Sequence, residues 1–231
     1  MSAKPTGRIE SANLSPLRER IAESIRASII DGRIKPGERL TEPEVAKLLG
    51  VSRTPIREAF FQLISEGFVE AAPRRGVVVA ELSPEDAEET YVLKSALEAL
   101  AATLAVSHVT QDLLTRLAKI NNELAAAIER GAVDLGLVLE LNNRFHQTLT
   151  DASANRKLSK IVTVYRRQTL RYTYIYLSAL GRLRQSVEEH RAMIEALEKR
   201  DRAGLDRLVR IHNEGTLRSL RSMMTNSTPT T

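Results

Sequence analysis

The chain has no cysteine and no tryptophan, and aromatic residues make up only 4% of its 231 positions. Without cysteine there can be no disulfide, no thiolate catalysis and no cysteine-rich metal site, so any metal falls to His, Asp, Glu or Asn. Scarce aromatics beside abundant Leu, Ala, Glu and Arg favour helices over sheets. No apolar run approaches the roughly 18 residues of a membrane helix, and the N-terminus lacks a charged start followed by an apolar stretch. The expectation is a soluble, cytoplasmic protein. A charge excess of one sign is also nearly missing: residues 1–80 carry 13 basic and 10 acidic side chains, and residues 81–231 carry 21 and 19. A net charge of +5 permits an anionic partner without identifying one, so placement has to do that.

The length and an apolar fraction of 42% suit two domains with a core each. We expect a tail over 1–14, a winged helix-turn-helix DNA-binding domain over 15–80, an all-α effector-binding and dimerisation domain over 83–222, and a tail over 223–231. The fold class is therefore mainly α, with six to seven helices in the C-terminal bundle.

In the N-terminal part, Ser15-Pro16 reads as a helix start, and Leu17, Ile21, Ile25, Ile29 and Ile30 recur at helical spacing. Thr41 caps a second helix whose inward face is read as Val45, Leu48 and Leu49, and Gly50 ends it. Ser52 starts a third, with Ile56, Ala59, Phe60, Leu63 and Ile64 facing the core. That leaves Ser52, Arg53, Thr54 and Arg57 on the other side of its first turns. The N-terminal end of the second helix of a helix-turn-helix enters the major groove, where arginine is a bidentate donor to guanine. After Gly67, Phe68-Val69-Glu70 and Val77-Val78-Val79 read as a two-stranded hairpin around Pro73-Arg74-Arg75-Gly76. Arg75 can enter a minor groove there, and Gly76 allows close backbone approach. Either piece alone is weak, since two arginines on a helix are usually a solvated face; order and spacing together carry the reading.

From Ser83-Pro84-Glu85-Asp86 onward the periodicity is helical, near 84–107, 110–130, 134–151, 155–179, 183–200 and 202–222, with breaks at Thr110, Gly131-Asp134, Asn155, Gly181 and Asp201. Three of the four histidines sit on inward helix faces. Asn142 and His146 share a face with Leu135, Leu139 and Leu149; His190 lies with Met193, Ile194 and Leu197; His212 lies with Leu205, Leu208 and Ile211. Three imidazoles from three helices can converge on one cation, or each can be a core histidine satisfied by a hydrogen bond. A cation with an open position attracts carboxylate, and Lys94, Arg144, Arg167 and Arg171 are candidate partners for it. Four of the five tyrosines, Tyr165, Tyr172, Tyr174 and Tyr176, fall on one helix and can line a pocket or a dimer seam.

The run Leu48-Leu49-Gly50-Val51-Ser52-Arg53-Thr54-Pro55-Ile56-Arg57-Glu58, with Leu63, Glu66-Gly67 and Pro73-Arg74-Arg75-Gly76, resembles the signature of GntR-family bacterial transcription regulators. The resemblance implies operator contacts by Arg53, Thr54, Arg57 and Gly76. Pro43 stands where some relatives carry a basic residue. Glu98, Phe145-His146, Asn155 before Leu158, His190 with Ile194 and Ala196, Asp201 and His212 are similar to the FCD ligand-sensing domain of FadR-like members. That similarity implies a divalent metal, zinc or a relative, on Asn142, His146, His190 and His212, with a small organic acid beside it. Asn142 replaces the usual aspartate, and its neutral carbonyl pulls less on a cation. The effector residues read this way are Lys94, Arg144, Arg171 and Tyr172. The resulting expectation is a homodimeric, non-enzymatic regulator, a repressor of operator DNA released or engaged by a carboxylate. The alternatives are a metal-dependent hydrolase using the three histidines, or a regulator whose histidines are only structural.

Overall fold

The structure, a computed structural model, describes residues 16–73, 76–129, 133–176 and 180–226. Helix α1 (Leu17–Ile30) follows Pro16, whose ring suits a helix start, and buries Ile21, Ala22 and Ile25; Ser15 lies outside the described residues. A short strand β1 (Arg39–Thr41) precedes α2 (Glu42–Leu49). Thr41 caps α2 through a hydrogen bond from the Glu44 amide, and its own hydroxyl donates to the Glu44 carboxylate at 2.6 Å. Gly50 closes the helix with φ of +66°, a left-handed turn that glycine adopts without strain. Leu48 and Leu49 do not face the core but are 83% and 39% exposed, and the inward face is Glu42, Val45 and Ala46. Leu49 continues the stripe of Val45 and Ala46 by spacing, but it stands in the last turn before Gly50, where nothing among the described residues fully covers it.

Helix α3 (Arg53–Ser65) buries Ile56, Ala59, Phe60 and Leu63 as its spacing requires, although Ser52 makes no side-chain cap bond. Gly67 then turns the chain with φ of +73°. Strands β2 (Val69–Ala72) and β3 (Gly76–Val79) pair antiparallel, and β1 adds to the far edge of β3, so the wing is a three-stranded sheet in the order β1-β3-β2. A three-residue strand carries too little alternation to be read from sequence. Val69, Val77 and Val79 pack with Phe68 onto α1 and α3 as one core.

The remaining helices are α4 (Pro84–Ala105), α5 (Gln111–Glu129), α6 (Leu135–Asp151), α7 (Arg156–Tyr176), α8 (Leu180–Glu198) and α9 (Arg202–Asn226), with a single 3-10 turn at Val106–His108. Ser83, read as a helix start, and Thr110, Asp134, Asn155 and Asp201, read at breaks, are caps, each accepting a hydrogen bond from an amide three residues on. Gly181 does not break the chain but sits in the first turn of α8. Buried Ala99, Ala101, Ala102 and Ala105 give α4 a small-residue face within the bundle, where it packs on α7 and α9. Helix α7 also bridges to the winged N-terminal domain, the head of the molecule: Leu170 packs against the head's core, and Arg167 donates to the buried Glu66 at 2.6 Å. Among the described residues no helix is long and apolar enough to cross a membrane.

Candidate functional site

The first turns of α3 place Ser52, Arg53, Thr54 and Arg57 on solvent. Arg53 has no partner among the described residues, whereas the Arg57 Nε and Nη2 donate to both oxygens of Glu42 at 2.8 and 2.9 Å. Glu42 is 5% exposed, so this fork is anchored to α2 and raises the Arg57 pKa through the hydrogen bond and the charge. Gly76 has an internal requirement as well. A Cβ there would lie 2.6 Å from the Leu40 carbonyl oxygen, so only glycine lets β1 close on β3. Arg75 lies outside the described residues.

The three inward histidines converge. His146 on α6, His190 on α8 and His212 on α9 are all buried, with ring atoms that could ligate a metal all within 4.8 Å of one another. The His190 ring stacks on Phe145 at 3.9 Å between centroids, nearly parallel, which locks its rotamer. Its Nδ1 meets the Asn121 Oδ1 at 3.0 Å, and Asn121 is oriented by donating its own amide to the Val187 carbonyl. His190 Nδ1 therefore carries the proton and Nε2 the lone pair. His212 Nδ1 is likewise 2.6 Å from the Glu189 carboxylate, which leaves its Nε2 as an acceptor. Oriented imidazoles of this kind, backed by a carboxylate and an amide, are the donor arrangement a divalent cation prefers. His146 Nε2 and His190 Nε2 face each other at 3.3 Å, a separation that either a proton or a cation must bridge. Burial, then Arg166 and the other two rings, pushes the His146 pKa well down. Burial, then His212 and Arg182, does the same for His190. Burial also lowers His212, with Glu189 opposing. Burial thus disfavours the protonated form of all three rings, and the neutral imidazole is the form that ligates.

Around the histidines lies a buried ionic network. Glu98 accepts from Arg166 at 2.8 Å, from Asn213 at 3.0 Å and from Lys94 at 3.2 Å. Burial alone would raise its pKa, but Lys94, Arg166 and Asn213 hold it down at about 2. Arg182 donates to Glu189 at 2.8 Å and to the His212 carbonyl at 2.8 Å. Three cations thus face two carboxylates, and the surplus is positive. A pocket of about 50 Å³ opens onto His146, His212, Asn142, Lys94, Tyr91 and Arg166.

Residues 89–215 match the FCD domain, and residues 17–79 match the gntR family of bacterial regulatory proteins. The chain belongs to the GntR family of transcription regulators. It is 33% identical to the uncharacterized HTH-type transcriptional regulator YdhC of Bacillus subtilis (strain 168), over 81% of this chain and 84% of that one. It is 27% identical to the HTH-type transcriptional repressor RspR of Escherichia coli (strain K12), over 90% of each. The structure of E. coli McbR/YncC superposes with a TM-score of 0.76 at 23% identity, covering 93% of this chain and all of that one, and so shares the fold. GntR-family members with an FCD domain are regulators rather than enzymes, and the hydrolase alternative falls.

Within this GntR-family bundle the effector candidates separate. Lys94 lines the histidine pocket beside Asn142. Arg144 does not; it lines a second space between bundle and head. Tyr172 is buried in another cluster with Tyr91, Ala87 and Leu220, its hydroxyl donating to Asp86. The side chain of Arg171 lies outside the described residues. Sequence reading missed Arg166, Asn121 and Glu189. Asn121 had a legible signal, a polar residue on the apolar stripe of Leu117, Ile120 and Leu124. Arg166 had the same kind of signal, standing four residues after Val162 and eight after Leu158 on the buried stripe of α7.

Proposed function

We propose that this chain is a homodimeric repressor whose operator affinity is set by a small carboxylate bound in a metal-containing pocket of the bundle. The observation that carries this reading is the convergence of three buried imidazoles beside a surplus of buried positive charge. His146, His190 and His212 would hold a divalent cation such as zinc, with the Asn142 carbonyl on the same wall. That cation would supply positive charge and an open coordination position for an anion. Lys94 and Arg166 add charge to the same pocket, so the chain's own residues select a carboxylate over a neutral ligand. Repression is supported by the similarity to RspR.

On the reading head, Arg53 is the side chain free to pair with a base, Thr54 and the α3 N-terminus suit phosphate, and Arg57 reaches DNA with the donors Glu42 leaves it. Two heads related by a two-fold axis would read a pseudo-palindrome. The effector acts by binding DNA-competent and incompetent arrangements unequally, and a coupling of about 1–3 kcal/mol changes operator affinity roughly 5- to 150-fold. The test is to select a binding site from a randomised duplex pool, then compare wild type with Arg53→Ala by fluorescence anisotropy. We expect a loss of about 1–3 kcal/mol on the selected site and little change on scrambled DNA. Equal affinity of the two proteins for the selected site would remove Arg53 from recognition.

A further inference from the structure

The histidine pocket is too small for an organic acid of ordinary size. Its 50 Å³ is a third of the roughly 150 Å³ that encloses a benzene-sized molecule, enough for a cation with a water or the head of a single carboxylate. A second space of about 350 Å³ lies between the bundle and the reading head, within the roughly 300–1,000 Å³ typical of small-molecule sites. The two are neighbours. Asn143, Arg166 and Leu170 line both, and the partition is held by the Arg166 Nη2 donating to the Asn143 carbonyl and side-chain oxygens at 3.2 and 2.7 Å. The larger space is bordered by three further arginines, Arg26, Arg144 and Arg167, against two carboxylates, Glu23 and Glu140, the first of them held by Arg26. Arg144 is loosely held, half exposed and 3.8 Å from its only ion partner among the described residues, Glu123. Arg167 is also half exposed and contacts Glu66 through one nitrogen.

We infer that the effector site runs from the histidine pocket past the Arg166–Asn143 partition into the space beneath the head, and that it takes an elongated dianion, a dicarboxylate being the simplest. This rests on the carboxylate reading of the pocket given above. One carboxylate sits at the histidine end with Lys94. The other pairs with Arg144 and Arg167 at the head. The arrangement explains how a ligand in the bundle is felt by the DNA reader. Arg167 and Arg26 both hold Glu66 at the end of α3, so an anion that draws on Arg167 loosens the contact that fixes the head on α7.

The test is isothermal titration of the zinc-supplemented full chain with acetate, butanedioate, hexanedioate and octanedioate, on wild type and Arg144→Gln. A charge-assisted hydrogen bond is worth roughly tenfold in affinity or more. We therefore expect the longer diacids to bind at least about tenfold more tightly than acetate, and Arg144→Gln to remove most of that gain while leaving acetate unchanged. Acetate binding with no gain from chain length, or an equal loss for acetate and diacids in Arg144→Gln, overturns the extended site and leaves the histidine pocket as the effector site. Binding of none of the four acids overturns the extended site and the carboxylate reading together.

Discussion

Glu98→Gln is the perturbation that most directly tests the buried network around the candidate effector pocket. The carboxylate is 4% exposed and sits between Lys94 and Arg166, themselves nearly buried. Its pKa is held down from an ordinary 4.5 to about 2 by Lys94 and Arg166, which corresponds to about 3 kcal/mol of folding stability. Because the folded value is the lower one, that stability is present in full above about pH 4.5 and is lost as pH falls toward about 2. The glutamine cannot carry the charge, and it leaves two buried cations opposed by nothing. Removing one partner of a buried ion pair typically costs about 3–5 kcal/mol, the same size as the linkage figure. In a chain of this length that corresponds to a drop of roughly 10 °C in melting temperature at pH 7. Thermal unfolding followed by circular dichroism at pH 7, 4.5 and 3 measures it. The gap between wild type and variant should narrow as pH falls below 4.5, as wild-type Glu98 gives up its advantage. A variant melting within about 2 °C of wild type at pH 7, or a gap that stays constant down to pH 3, would refute the argument.

Other outcomes follow from the same contacts. Gly76→Ala forces a Cβ into the Leu40 carbonyl and should cost about 1–3 kcal/mol through displacement of the wing, seen as a lower urea midpoint and weaker operator binding; an unchanged midpoint means β1 can move aside. Asn121→Ala frees His190 Nδ1 and should lower zinc affinity about 10- to 100-fold in a competitive chelator titration, with the overall fold kept; unchanged zinc uptake would show that His190 needs no orienting partner. Glu66→Gln removes the carboxylate shared by Arg26 and Arg167. It should destabilise the chain by about 3–5 kcal/mol, and limited proteolysis should cut earlier between head and bundle; a wild-type cleavage profile would contradict the bridging role of Glu66.

The helices and their ends were legible because their causes are local. Thr41, Ser83, Asp134, Asn155 and Asp201 cap through bonds spanning three residues, and the apolar period of 3.6 marks the buried faces. The inward facing of His146, His190 and His212 could be read in the same way, each from its own helix. What could not be read are contacts between distant positions. Glu98 meets Arg166 and Asn213 across 68 and 115 residues, and Arg167 meets Glu66 across 101. Short-range pattern also failed at the end of α2, where Leu49 continues the stripe of Val45 and Ala46 yet is left, like Leu48, on solvent. The Glu42–Arg57 fork falls between these cases, a bond across 15 residues and a tight turn. It changes the reading of Arg57 from a free DNA contact to one already held by its own protein.

The most direct test of the central claim, that a cation held by the three histidines controls the reading head, is operator affinity at fixed salt for zinc-loaded and chelated protein, each with and without a saturating dicarboxylate. The acid should change operator affinity of the zinc-loaded protein at least about fivefold and leave the chelated protein nearly unaffected. Affinities that agree within about twofold across all four conditions would contradict that claim.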